Sequence, residues 1–303
     1  MTRPSPVSVI IPHLNQADAL ERCLASLAIQ SRRDLIAEII VVDNGSAGGL
    51  APLAARFPQA HWLEEKTPGP GPARNLGIAH ASGDIIALID ADCRAHPEWI
   101  ATLTGRLERE AADCIVGGDV KIDFHDAERA SGIEAYEAVF AYRQQLYITK
   151  HGFSGTGNLA FRRPVHTRVG PFAGIGTAED RDWGQRARRL GLPIVYEPRM
   201  IVYHPARPDQ ASLETKWRRH IAHVLDHHRQ SGGGLLVWTA RAVAVLLSAV
   251  AHTPKMLLSS RLEGRSGRWR GLKHLYAIRA FRAIEMIRQG RVAGNAAAEW
   301  NRS

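Results

Sequence analysis

Three carboxylates stand where strand-like runs end, and three more open a helix-like run. Asp43 closes one apolar run within VVDNGS, and Asp90 and Asp92 close another within LIDADC. Glu179, Asp180 and Asp182 crowd the segment TAEDRD. Acids are common in turns after strands, so each site taken singly says little. Carboxylates at equivalent strand ends, however, define a shared ligand edge. The Asp-Ala-Asp spacing can direct two carboxylates toward one divalent ion or one ribose. A hard cation with free positions for phosphate oxygens suits that arrangement. In TAED, Thr177 could cap the following helix with Asp180 in the capping-box position. Asp182 has the i,i+4 spacing to pair with Arg186 on that helix.

Between the strand-end acids lies Lys66–Gly77, KTPGPGPARNLG. Pro and Gly this dense make a shaped loop leading into a helix. It is neither G-x-G-x-x-G nor a Walker sequence, since no G-K-[ST] follows. Arg74 lies near the helix start, where it could reach a phosphate or nucleotide edge. Its competing role is a salt bridge to Asp90 or Asp92.

The elements that must position these groups alternate. Strands are expected at Val7–Pro12, Glu38–Asp43, Ala60–Glu64, Asp84–Asp90 and Cys114–Val120. Helices are expected at Ala17–Ile29, with Leu20, Leu24 and Leu27 on one face, and at Pro72–Ala81 and Pro97–Leu107. Strands spaced by helices imply right-handed crossovers and a mainly parallel sheet, which binds ligands at the carboxyl ends of its strands. Further on, residues 131–150 read as one helix carrying Tyr136, Phe140, Tyr142 and Tyr147. A short strand follows at Asn158–Phe161, and a strand or edge segment ends at Tyr203-His204.

Five segments in this order resemble family 2 glycosyltransferases of the GT-A fold. They are VSVIIPHLNQ (7–16), IIVVDNGSAGG (39–49), GPARNLGIAHASGDIIALIDADC (71–93), GTGNLAFRR (155–163) and GIGTAEDRDWGQRARRLGLPIVYEPRMIVYH (174–204). The resemblance implies an α/β GT-A nucleotide-sugar-binding fold. It assigns Asp43 to the nucleobase, Asp90 to the ribose or metal, and Asp92 to a divalent cation on the diphosphate. Pro12 and Asn15 then belong to the loop beside the nucleotide. Direct displacement at an anomeric carbon needs a base on the face opposite the leaving diphosphate, to take the acceptor's proton. The resemblance assigns that base to Asp180, with Glu179 orienting hydroxyls and Asp182 the runner-up. Related proteins also place a histidine like His204 near the metal-diphosphate. Processive members carry Q-x-x-R-W downstream. Here the sequence is ETKWRRH, which argues for a single addition and leaves Trp217 and Arg218 as residues that cover the site or touch the diphosphate.

Charge divides the chain. Residues 1–204 carry 22 Lys and Arg against 24 Asp and Glu, whereas residues 205–303 carry 17 against 6. A nucleic-acid binder would show the same basic surplus, but it would leave the acid cluster without a job. A domain lying on an anionic membrane also fits. The apolar run 235–251 is short for a span, which needs about 20 residues, and Arg241 lies within it. It can equally be a buried helix or an interfacial one. Residues 261–291 mix arginine with Leu272, Leu275, Ile278, Phe281 and Ile284 and favour the interfacial reading. His220, His223, His227 and His228 recur at helical spacing without an acid to complete a zinc site. Three scattered cysteines, Cys23, Cys93 and Cys114, argue against a disulfide framework or cysteine zinc site and for a reducing compartment. The first residues contain no long apolar run, so no signal peptide is expected there.

The expectation is therefore a catalytic domain at 1–210, with a nucleotide-binding half to about 120 and an acceptor half at 121–210. A helical, basic extension follows at 211–303. The enzyme expected is an inverting glycosyltransferase using Mg2+ or Mn2+. It moves one sugar from a UDP- or dTDP-linked donor to a saccharide or lipid-linked acceptor, peripherally at the cytoplasmic face of the cell membrane. A nucleotidyltransferase is the nearest competitor, although the Glu-Asp helix start does not suggest one.

Overall fold

In the computed structural model of the chain, residues 5–291 are described. They form β1 (Val7–His13), α1 (Ala17–Ala28), β2 (Ile36–Asp43), α2 (Ala51–Arg56), β3 (Ala60–Glu64), α3 (Pro70–His80), β4 (Ile85–Ile89), β5 (Arg94–Ala95), α4 (Trp99–Leu107) and β6 (Ile115–Asp123). Then come α5 (Gly132–Phe140), α6 (Gln144–Leu146), β7 (Asn158–Arg162), α7 (Arg163–Val169), α8 (Glu179–Arg189), β8 (Ile194–Pro205), α9 (Gln210–Gln230), α10 (Leu235–Leu257) and α11 (Arg265–Arg291). The chain divides into two compact units. One is Met1–Asp123 with Tyr142–Pro205, and the other is Phe124–Ala141 with Ala206–Ser303.

The first unit is an α/β layer built on one sheet, in the order β3-β2-β1-β4-β7-β6-β8-β5. Strands β3, β2, β1 and β4 run parallel, so Asp43 and Asp90 leave the sheet at the same edge. The remainder is mixed. β7 lies antiparallel between β4 and β6, β6 pairs parallel with β8, and β5 is an antiparallel edge on β8. Central parallel strands are covered on both faces and so read as continuous apolar runs; every residue of β1 is buried. Val9, Ile11, Val41 and Ala87 face Leu20, Leu24 and Leu27 of α1 and Trp99 and Leu103 of α4. Ile10, Ile40, Val42 and Leu88 face Ala73 and Ile78 of α3 and Trp183 and Ala187 of α8. Asn158 fastens the start of β7 where these layers meet. Its Nδ2 donates to the carbonyls of Asp119 and Met200, each at 2.8 Å, and its Oδ1 accepts from Trp99 Nε1 at 2.8 Å. A buried amide with its donors and acceptor engaged rigidifies the junction.

The expected single helix over 131–150 is broken. α5 begins with a Ser131–Glu134 capping box, but Ala141 (φ −77°, ψ −84°) leaves the helical region and ends it. The turn α6 and a π-helical turn at Tyr147–His151 follow, closed by left-handed Gly152. The break coincides with the boundary between the two units. It separates Tyr136 and Phe140, whose rings pack 5.4 Å apart in the second unit, from Tyr142 and Tyr147 in the first.

The second unit is helical. α9 starts at Asp209, whose side chain accepts from the Ser212 N–H at 2.7 Å. Trp238 of α10 is buried among Ile221, Leu225 and Met286, and its Nε1 donates to the Met286 carbonyl at 2.8 Å. By length and composition α10 could cross a membrane: its mean hydropathy is 1.7, yet only 17% of the apolar window is buried. That low burial removes the reading of α10 as a core helix. Leu236, Val243, Leu247 and Val250 are exposed along it.

Candidate active site

Asp43 ends β2 already engaged. Its Oδ1 accepts from His13 Nδ1 at 3.1 Å and from the Ser46 hydroxyl at 2.5 Å, while Oδ2 accepts from the Ser46 N–H at 3.2 Å. His13 Nε2 accepts from the Gln16 N–H at 3.0 Å, which leaves the proton on Nδ1, facing the carboxylate. Asn15 adopts φ 55°, a left-handed conformation that Asn tolerates better than most residues. From there its N–H donates to Ser46 Oγ at 2.8 Å and its Oδ1 accepts from the Ala47 N–H at 2.9 Å. The loops after β1 and β2 thus hold each other. Pro12 is part of β1 itself, in register with Val42, rather than of the loop.

Asn44, which the sequence did not single out, shapes the Pro/Gly-rich loop. Its amide donates to the carbonyls of Glu65 and Thr67, and its Oδ1 accepts from the Gly69 N–H at 2.6 Å. Gly69 sits at φ 120°, open to glycine and strained for other residues, and Pro70 begins α3. Arg74 then points from the first turns of α3 into the site, 3% exposed.

Arg74 joins two distant acids. Its Nη2 donates to Asp90 Oδ1 at 2.6 Å and its Nη1 to Glu179 Oε1 at 3.0 Å. The competing salt-bridge role is therefore real, to Asp90 and not Asp92, and it carries Glu179 with it. Burial opposes the arginine's charge, but the two carboxylates outweigh burial and raise its pKa. Gly157, in GTGN, allows the approach, because a Cβ there would collide with the Asp90 carboxylate.

Asp92 faces His204. His204 Nε2 lies 3.2 Å from Asp92 Oδ2, and its Nδ1 donates to the Pro205 carbonyl at 2.7 Å. Burial disfavours the Asp92 charge, yet the histidine's hydrogen bond and charge outweigh it and hold the carboxyl below its usual range. The His204 imidazole is raised by the same pairing against the opposing effect of burial. Tyr142 packs against His204 with ring centroids 4.8 Å apart and planes tilted by 40°, a contact with no signal in the spacing of the sequence.

α8 begins at Glu179, with Ala178 as N-cap, so the expected capping by Thr177 does not set this end. Asp180 Oδ1 instead accepts from the Arg181 N–H at 2.6 Å. Burial, then the neighbouring Glu179 charge, raise the Asp180 pKa above the ordinary aspartate value. Asp182 is committed elsewhere, to Arg186 Nε at 2.9 Å, while Arg186 also donates to the carbonyls of Val169 and Pro171. Trp183 anchors the helix. It is buried, stacks on Phe172 at 4.8 Å and donates to the Gly170 carbonyl at 2.9 Å. Emptying that position would cost about 3–5 kcal/mol and loosen the acids one turn away.

Among the described residues, no group of three His, Cys, Asp or Glu is arranged to hold a metal ion. Asp92 and His204 supply two converging donors. That suits an Mg2+ or Mn2+ ion which keeps its remaining positions for substrate phosphate oxygens and water. The Nδ1 bond to the Pro205 carbonyl fixes the ring and keeps Nε2 turned toward Asp92. Cys93 is buried beside these acids, and burial followed by the Asp90 and Asp92 charges push its thiol up, away from a thiolate ligand. Trp217 and Arg218 lie on α9 in the second unit. There Arg218 pairs with Glu214 at 3.2 Å and Trp217 stacks with Arg282.

The sequence model described as Glycosyl transferase family 2 matches residues 8–170. Glycosyltransferase AglE of Haloferax volcanii is 32% identical over 72% of this chain and 73% of its own. The pre-mycofactocin glycosyltransferase of Mycobacterium tuberculosis is 26% identical over 86% of this chain, which spans 58% of that relative's length. Among solved structures, the mannosyltransferase PcManGT of Pyrobaculum calidifontis, in complex with GDP-Man and Mn2+, superposes with a TM-score of 0.60 at 19% identity. The match covers 95% of this chain and 88% of that one.

Proposed function

The chain belongs to glycosyltransferase family 2, and from that premise we propose an inverting, metal-dependent transfer of one sugar from a UDP- or dTDP-linked donor to a hydroxyl acceptor. The observation that carries the reading is the Arg74 clamp. It ties the Asp90 strand end to the Glu179 helix start and so sets Asp180 beside the strand-end acids. Asp43 and Asn15 receive the nucleoside, with Pro12 beside them in the last residues of β1 before the loop. Asp92 and His204 would hold the Mg2+ or Mn2+, whose charge offsets that of the departing diphosphate. Asp180 takes the acceptor's proton as its hydroxyl attacks; a raised pKa makes it a better base than an ordinary aspartate. Glu179, oriented by Arg74, holds a hydroxyl of sugar or acceptor. The acceptor is a saccharide or a lipid-linked precursor.

The reading extends to location. The exposed apolar face of α10 and the basic surplus of residues 205–303 support seating of the second unit on the cytoplasmic leaflet of the cell membrane. The test of the activity is a donor panel of UDP-, dTDP- and GDP-sugars with lipid extract and free saccharides, with and without Mn2+. Metal-dependent release of a nucleoside diphosphate with sugar transfer is the expected result. Release of pyrophosphate would mark a nucleotidyltransferase.

A further inference from the structure

In the second unit, half-buried cations on α9 and α11 meet few acids among the described residues. Glu137, 1% exposed, accepts from the Arg207 N–H at 2.8 Å and from the Arg207 guanidinium, and Lys216 Nζ lies 3.8 Å away. One carboxylate therefore serves two cations. Arg282 of α11 has no carboxylate among the described residues. Its guanidinium carbon lies 3.7 Å from the Trp217 ring centroid, and its Nε is buried without an acceptor. The indole N–H of Trp217 is also buried without an acceptor. Burial, then the positive Arg279, pull the Arg282 pKa down to about 10. Burial, then Arg207, pull Lys216 down to about 8. Cations taken out of water without counter-charge are costly, and a protein that keeps them is poised to gain from an anion.

We propose that Arg282, Lys216 and the Trp217 indole N–H form an oxyanion site for the dianionic phosphate of a phosphomonoester. The guanidinium matches two phosphate oxygens, and the ammonium and indole donors supply two further hydrogen bonds to a tetrahedral group. The Lys216 side chain is 34% exposed, so the cluster meets solvent at the lysine, while the indole N–H and the Arg282 Nε lie beneath it. Packing of Ile221 and Leu225 of α9 near Met286 of α11 fixes the two helices that carry it. The site stands independently of sugar transfer. Its phosphate comes either from a soluble sugar phosphate or from a lipid phosphate.

Calorimetric titration of the full chain with inorganic phosphate, alongside thermal melts in phosphate-free buffer, tests it. Phosphate should bind and raise Tm. Lys216→Gln and Arg282→Gln should each weaken binding roughly tenfold or more, as charged hydrogen bonds do. Trp217→Phe, which keeps the ring, should weaken it less, and Arg265→Gln, an exposed control, should not change it. Arg282→Met guards against a folding failure. It should melt no lower than wild type without phosphate and gain nothing from phosphate. Equal phosphate responses in wild type, Arg282→Met and Lys216→Gln would overturn the site, as would no response in wild type. Glucose 1-phosphate and dodecyl phosphate separate the sources, since either binding the more tightly identifies its class. Loss of UDP binding in Arg282→Met would overturn the phosphomonoester in favour of a nucleotide diphosphate.

Discussion

The guanidinium of Arg74 and the carboxylate of Glu179 meet at 3.0 Å across 105 positions of sequence. With Asp90 on its other nitrogen, Arg74 is the link between a strand-end acid and the helix that carries the proposed base. Arg74→Met should therefore nearly abolish transfer and lower stability by about 2 kcal/mol. That is below the range for fully buried pairs because Asp90 and Glu179 stay partly exposed. Arg74→Lys keeps the charge but cannot hold both acids as a fork does, so it should recover stability more than kcat. Steady-state kinetics and chemical denaturation on both variants check this.

Metal dependence is expected to follow Asp92 and His204. Asp92→Asn should weaken Mn2+-dependent UDP or dTDP binding and nearly abolish transfer. His204→Ala should weaken the same binding by roughly 10–100-fold, the range found when metal-site partners are removed. Calorimetry with and without Mn2+ measures both. Unchanged metal-dependent affinity in Asp92→Asn would remove it from the ligand set.

The raised pKa of Asp180 predicts a pH dependence with a definite sign. As the proposed base Asp180 must be ionised, so the acidic limb of kcat should lie above the ordinary aspartate range near 4. Stability runs the other way. A folded-state pKa above the unfolded one gives stability that is full below the unfolded value and is lost as pH rises through the folded value. Asp180→Asn should abolish that loss. Its Tm relative to wild type should rise from acid toward neutral pH.

Membrane seating is tested by co-sedimentation with anionic vesicles. Binding is expected at low salt and should weaken as salt rises, since exposed charges are screened. Leu236→Asp with Leu247→Asp, on the exposed face of α10, should weaken it further without lowering Tm. No binding at low salt would contradict the seating. Binding that resists high salt and carbonate would indicate insertion.

What was legible in the chain was local and periodic. Alternating strands and helices placed Asp43, Asp90 and Asp92 at one sheet edge, and the i,i+4 spacing identified the Asp182–Arg186 pair. The antiparallel insertion of β7 was not legible, because five residues of strand carry no direction. The break at Ala141 was equally hidden: alanine favours helix, and the boundary between two compact units overrides it. Of the site, the sequence pointed to a set of acids but not to what holds them. His13 on Asp43, Tyr142 on His204 and Asn44 on the Pro/Gly loop are tertiary contacts between side chains that periodicity does not report.

The assignment of the base is tested most directly by kcat of Asp180→Asn, measured beside Glu179→Gln and Asp182→Asn with nucleotide-sugar affinity determined for each. Loss of a positioned base commonly costs on the order of 10²–10⁴ in rate. Asp180→Asn should lose that much kcat while donor binding stays near wild type. Glu179→Gln should mainly change acceptor KM, and Asp182→Asn should mainly lower Tm through Arg186. Near-wild-type kcat in Asp180→Asn, with either neighbour losing most of it, would contradict the assignment.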